Sequence, residues 1–238
     1  MKIEYSHGQR MTKLPHEQTP LEAAIDRYVE KAKAYFQEER AANKTLTQLE
    51  RDKKLAEALK HLEQERRLAE TIVSVQAQLE AYRAFGREQK GASGRMTLSA
   101  EQYHRKDKST LCRFLQADGR PRPSPQHDAH HIVPGKGRTK VAALARLHIH
   151  RFGIRINDPD NGVWLVKRKC DVPHWSMPAA KSHLSIHTHN YESWVYNAVR
   201  ITRSEQDARR KLNILARMLE QGSQPKEVTM PPDPSWKG

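Results

Sequence analysis

Apolar side chains in the first third of this chain recur every three or four positions, with neither glycine nor proline between Leu21 and Phe85. Leu55, Leu59, Leu62, Ala69, Ile72, Val75, Leu79 and Tyr82 trace one stripe on an otherwise charged surface, the pattern of a long amphipathic helix. Its start is marked at Thr19-Pro20-Leu21-Glu22. Threonine can cap there, proline suits the first turn, and glutamate stands where it can bond back to the cap. A break is expected at Ala42-Asn43-Lys44-Thr45. The stripe therefore predicts either a helical hairpin folded on itself or a coiled coil paired with another chain.

The pattern changes at Gly86 to Gly94, where Gly91-Ala92-Ser93-Gly94 reads as a boundary. A short helix is expected from Ser99, capping onto Gln102, and should stop near Asp118-Gly119. Arg120-Pro121-Arg122-Pro123-Ser124-Pro125 then forces an extended approach to the next segment. Residues 139–151 are helical by pattern, residues 162–166 alternate as a short strand, and 179–200 and 204–220 read as two closing helices. Prolines at 225, 231, 232 and 234 suggest a loose tail. The organisation expected is a helical region over 1–90, a linker with a short helix over 91–125, a small α+β domain over 126–222 and a flexible Pro-rich tail over 223–238. The class is α+β and mostly helical.

Composition narrows the partners. Of 238 residues, 42 are Lys or Arg and 28 are Asp or Glu, giving a formal charge of +14. Residues 101–200 alone hold 17 basic and 8 acidic side chains, and ten of the thirteen histidines. A basic excess of this kind attracts polyanions through phosphate contacts and counterion release. Cys112 and Cys170 are far apart and form no CxxC pair, which argues against a disulfide framework or a thiolate zinc knuckle. The polar start Met1-Lys2-Ile3-Glu4 does not read as a signal peptide, and no run approaches a membrane span, so no membrane partner is expected.

The histidines carry the chemistry. They fall in three ordered clusters: Asp128-Ala129-His130-His131-Ile132-Val133-Pro134, then Asn161-Gly162-Val163-Trp164-Leu165, then His183-Leu184-Ser185-Ile186-His187 with Tyr191. If His183, His187 and Tyr191 share a helix, their four-residue steps place them on one face, so two imidazoles can converge on one cation. Extended neighbours point to opposite sides, which gives His130 and His131 different roles, one as ligand and one facing substrate. Neutral imidazoles suit a divalent ion that keeps open positions, and a histidine with its ordinary pKa near 6.5 can take a proton from water. Taken singly, each motif also has a plainer origin. A His-His pair is often surface polar residues, Asn161-Gly162 is an ordinary hairpin turn, and HxxxH arises on any polar helix face. Among the other histidines, His148 and His150 are expected on a solvated face, His189 off the ligand face, and His127 and His174 without assigned roles.

In sequence these segments resemble the AHH group of the HNH and endonuclease VII nuclease superfamily. The resemblance runs over Ala129 to Pro134, the Ala-Arg helix before Phe152-Gly153-Ile154, Asn161 to Leu165, and His183-x3-His187-Thr188-x2-Tyr191. It implies a ββα-metal nuclease domain with extra helices and one divalent ion, Mg²⁺, Zn²⁺, Ni²⁺ or Mn²⁺. His130, His183 and His187 would be its ligands, His131 the residue that activates water, and Asn161 the residue that steadies the hairpin and orients the base. Tyr191 would join the catalytic set in a supporting role. Lys136, Arg138, Lys140 and Arg146 are expected to contact nucleic acid, DNA before RNA. The resemblance also implies a bacterial toxin made in the cytoplasm and delivered to target cells without a cleavable signal peptide. A cognate immunity protein would neutralise it, and the N-terminal helices would meet secretion apparatus or a chaperone. The alternative is a noncatalytic nucleic-acid-binding protein with a structural metal and a helical dimerisation region.

Overall fold

A computed structural model describes residues 5–6, 9–10, 18–40, 47–101, 108–233 and 236. The chain divides into two compact units, residues 1–77 and 78–238. In the first, β1 (Tyr5–Ser6) pairs antiparallel with β2 (Gln9–Arg10), and α1 (Pro20–Arg40) precedes α2 (Gln48–Glu88). The capping box is as expected: the Thr19 amide donates to Glu22 at 2.8 Å, and the Glu22 amide donates to the Thr19 hydroxyl at 3.2 Å. Thr47 and Glu50 repeat the device at the start of α2. Lys31 of α1 donates to Glu65 of α2 at 2.6 Å, so the helices fold back as a hairpin. The break expected at residues 42–45 lies outside the described residues, as does Gln102, the expected partner of the Ser99 cap.

The second unit contains the end of α2, then α3 (Gly91–Ser99), α4 (Lys108–Ala117), β3 (His127–His131), α5 (Lys140–Arg151), β4 (Gly162–Val166), α6 (His189–Val199) and α7 (Glu205–Gln221). β3 and β4 form an antiparallel pair, with His130 opposite Val163 and His131 opposite Gly162. β4 does not alternate in burial; all five of its residues are buried. Val163 and Leu165 face the main core with Ile132, Ile149, Val195 and Leu212, while Trp164 faces Leu111 and Leu115 of α4. A strand covered on both faces loses the polar-out half of the pattern.

Three expectations change. The glycines read as a boundary are helical, within α2 and α3. Gly86 is there because the chain passes too close for a side chain: a Cβ on it would stand 2.1 Å from the Gly153 carbonyl oxygen. The helix expected over 179–200 begins only at His189, where the Thr188 hydroxyl caps the Tyr191 amide. The stretch before it is a 3-10 turn (His183–Ser185) and a loop. The tail read as loose is packed over its first part, where Val228 is buried and Asn190 holds the carbonyls of Glu227 and Pro231 at 2.8 and 3.0 Å.

Gly86→Ala should destabilise the protein by about 1–3 kcal/mol through overpacking. Helix propensity alone predicts the opposite sign, a gain of roughly 0.5–1 kcal/mol. Urea unfolding reads the sign directly, and a stabilised variant would remove the close approach as the reason for this glycine.

Candidate metal centre and catalytic cleft

The cleft is built where the end of β3 meets the loop before α6. β3 is extended, so its last two residues diverge: His130 is 1% exposed and faces inward, and His131 is half-buried. His183 enters from the 3-10 turn and His187 from the following loop. The ring centroids of His130 and His183 are 4.9 Å apart, those of His130 and His187 5.2 Å, and those of His183 and His187 4.8 Å. One ligand atom from each of the three lies within 4.8 Å of the others. The convergence expected from a shared helix face is reached by a turn and a loop instead. Tyr191 does lie on α6, in its first turn.

These residues suit a divalent ion. Burial, with the other two imidazoles beside it, holds His130 well below the ordinary histidine pKa. Burial lowers His187 as well, with Arg138 adding to the effect. Imidazoles so kept neutral have nitrogen lone pairs available to a cation. Tyr191 supports the arrangement. Its hydroxyl lies 2.9 Å from His130 Nε2 and donates to the Ile132 carbonyl at 2.8 Å. Burial pushes the Tyr191 pKa well up, so the phenol keeps its proton. With that proton on Ile132, the phenol oxygen accepts from Nε2–H of His130, and Nδ1 is the nitrogen left for a cation.

His131 turns the other way, its Nε2 lying 2.9 Å from Asn157 Oδ1. The Asn161 side chain bonds elsewhere than to the His131 ring. Its Oδ1 accepts from the Val133 amide at 2.8 Å, and its Nδ2 donates to the carbonyls of Val133 and Ile156 at 3.2 and 3.0 Å. Asn161 therefore steadies the hairpin, and the residue bonded to the His131 ring is Asn157, which sequence reasoning missed. A lone asparagine four positions before a recognised one carries no signal of its own.

The cleft, of about 490 Å³, is lined by all four histidines together with Lys136, Arg138, Lys167, Asp128 and Glu192. Lys136, Arg138 and Lys140 are exposed on the loop and first turn that lead into α5. Glu192, another residue not foreseen, holds that loop: it accepts from the amides of Arg138 and Thr139 at 2.6 and 2.8 Å. Arg146 is placed elsewhere. It is 8% exposed, and its guanidinium donates to the carbonyls of Gly135, Ser99 and Glu101 at 2.5, 2.8 and 3.2 Å. It is a structural cation rather than a phosphate contact.

The remaining histidines are mostly structural. His150, expected on a solvated face, is fully buried beside Ser99, and burial with Arg146 and Arg155 nearby lowers its pKa to about 3. His148 is half-buried and meets Thr202 at 3.0 Å. His127 and His174 share Ser124 and Ser176 in a closed hydrogen-bonded ring. His189 is exposed on α6.

The antiparallel pair β3–β4 and the turn and loop before α6 bring three imidazoles together in a cleft that also holds three basic side chains, a donor set suited to a divalent ion. Residues 112–219 match the AHH family, a nuclease family of the HNH/ENDO VII superfamily with conserved AHH. No curated protein and no solved structure matches the chain. The family implies a nuclease, a hydrolase whose substrate is nucleic acid, in a superfamily that uses a divalent metal. Among the described residues, no helix is long and apolar enough to cross a membrane.

Tyr191→Phe takes away the acceptor of His130 Nε2–H and should weaken divalent-ion binding by about 10- to 100-fold. Isothermal titration with Zn²⁺ checks this, and an unchanged affinity would sink the role given to the phenol. The histidines also set a pH dependence. His127, His130, His131, His148, His150 and His187 all have lowered pKa values when folded. The unfolded chain therefore binds more protons once the pH drops below about 6.5. Their contribution is fully present above that pH and is lost as the pH falls further. For chelator-treated protein, the urea midpoint should be lower at pH 5.5 than at pH 7.5, and equal midpoints would contradict the shifts.

Proposed function

We propose that the chain is a metal-dependent endonuclease that hydrolyses phosphodiester bonds, with DNA as its first substrate and RNA as the alternative. The observation that carries this reading is the opposed placement of neighbouring histidines. His130 joins two other imidazoles in one cluster, while His131 opens to the same cleft from the other side of the strand. His130, His183 and His187 are the proposed ligands of one divalent ion, which would stabilise negative charge on the phosphate and on the leaving oxygen. His131 takes the proton from the attacking water as a general base, a contribution typically worth roughly 10²- to 10⁴-fold. Lys136, Arg138 and Lys140 hold the phosphate backbone at the cleft mouth, and Glu192 keeps their loop in place.

The family and the basic charge support a biological role as an antibacterial effector. In this reading the protein is made in the bacterial cytoplasm, delivered into target cells, and neutralised at home by an immunity protein. The helices of the first unit serve as the delivery or adaptor segment, with a secretion apparatus or chaperone as their partner.

Plasmid DNA and structured RNA, each incubated with Mg²⁺, Mn²⁺, Ni²⁺ or Zn²⁺, test the enzyme reading. Wild type should cut at least one of them, and His131→Ala, which keeps the ligand cluster, should cut roughly 10²-fold more slowly or worse. Intact nucleic acid under every metal would leave a noncatalytic binding protein.

A further inference from the structure

We propose that Glu101 and Asn157 are positioning residues that set the ring tautomer of His131, and that the catalytic unit thereby extends to residues before the segment matched by the family. The proposal rests on the nuclease reading above. A carboxylate can only accept hydrogen bonds. Asn157 lies 3.0 Å from Glu101 Oε1 through its Nδ2, so its amide can be oriented in one way only: Nδ2 toward Glu101 and Oδ1 toward His131. An Oδ1 facing the ring can only accept, so His131 must carry its proton on Nε2. The lone pair is left on Nδ1, where a base needs it.

Glu101 is itself fixed. Its Oε2 accepts from Arg155 Nε at 2.8 Å, and its Oε1 accepts from the Tyr82 hydroxyl at 2.5 Å. The Tyr82 oxygen in turn accepts from the backbone N–H of Asn157 at 3.0 Å, and the Arg155 guanidinium lies 3.8 Å above the Tyr82 ring. Burial beside Glu101 raises the Tyr82 pKa, which keeps the phenol a donor. Tyr82 and Glu101 both precede residue 112, where the family match begins. The helical stretch beginning at Gln78 thus reaches the proposed base through a chain of three hydrogen-bonded groups.

Two substitutions in the full-length protein separate this from simple packing. Glu101→Gln keeps the shape but offers both a donor and an acceptor. Its oxygen should turn to Arg155 and its NH2 to Asn157, so Asn157 flips and presents Nδ2 to His131, which moves the ring proton to Nδ1. Asn157→Asp breaks the amide link to Glu101 but presents only acceptor oxygens to the ring, so the Nε2–H tautomer stays. Long-range proton–nitrogen NMR spectra, assigned by comparison with His131→Ala, should show the ring proton on Nε2 in wild type and Asn157→Asp. They should show it on Nδ1 in Glu101→Gln. With cleavage measured alongside, Glu101→Gln should lose about 10²-fold in kcat with KM unchanged, while Asn157→Asp is read for its tautomer alone.

A structural role alone predicts a loss in Glu101→Gln with no change of tautomer, and that result would overturn the proposal. So would a switched tautomer with undiminished kcat. If wild type cuts nothing, the nuclease reading fails, and the spectra still decide whether Glu101 sets the tautomer. Should Glu101→Gln fail to unfold cooperatively, the paired reading comes from Tyr82→Phe. It removes one donor to Glu101, leaves the amide orientation intact, and must keep the Nε2–H tautomer; a shift to Nδ1 there would equally overturn the proposal.

Discussion

Asn161 and Val133 stand 28 positions apart, and the side chain of one is bonded to the backbone of the other through both its oxygen and its nitrogen. The rest of the site depends on that stitch. β3 and β4 are the strands that present and back the histidines, and a two-stranded sheet is marginal without support from elsewhere. The excursion between them contains all of α5. Asn161 closes it with three buried hydrogen bonds, and the Ile132 amide adds a fourth to the Asn161 carbonyl at 2.9 Å. Each such bond contributes about 1 kcal/mol net, but leaving its buried partner unmade costs about 1–3 kcal/mol, so the set favours one register strongly.

The residues on either side of Asn161 are held by charge. Asp158 is almost wholly buried and takes ion pairs from Arg83 and Arg209, at 3.4 and 2.9 Å, and Asp160 joins Arg209 at 2.6 Å. Arg120 donates to the Gly162 carbonyl at 3.0 Å and pairs with Asp118. Buried ion pairs are weak evidence for stability but strong constraints on geometry, because removing one partner strands the other. Here they fix a turn from which Asn157 points to His131 and Asn161 points to Val133. One short segment therefore positions both the proposed base and the strand pair that carries His130, one of the proposed ligands.

What was legible in the sequence was local or ordered by spacing. The histidine clusters, the strand at Gly162–Val166, α5, α7 and the Thr19 capping box all come from neighbours in the chain, and all are present. The start of α6 was misplaced because four-residue spacing of His183, His187 and Tyr191 suits a helix, whereas His183 and His187 reach His130 from a 3-10 turn and the loop before Thr188, the residue that caps α6. Gly86 read as a boundary because nothing nearby reveals that the Gly153 backbone will approach it. Arg146 and His150 read as surface because polarity says nothing about burial when partners lie some fifty residues away, as Ser99 does. The link from Glu101 to Asn157 spans 56 positions with no motif at either end. Long-range polar pairs of this kind are specified by the fold and are silent in the string.

Those silent pairs bear on where the nuclease begins. Glu101 contributes its side chain to Asn157 and Arg155 and its backbone carbonyl to Arg146, and Ser99 meets both Arg146 and His150. The end of α2 adds Tyr82 and Arg83, which reach Asn157 and Asp158 at 3.0 and 3.4 Å. A segment that supplies partners to a buried arginine, a buried aspartate and the residue bonded to the proposed base does not behave as a linker. The compact unit starting at Gln78 fits this better than a boundary at the glycines. The same logic explains why a stripe that is half-buried along most of α2 becomes fully buried at Leu79: from there the helix serves the core that shapes the cleft.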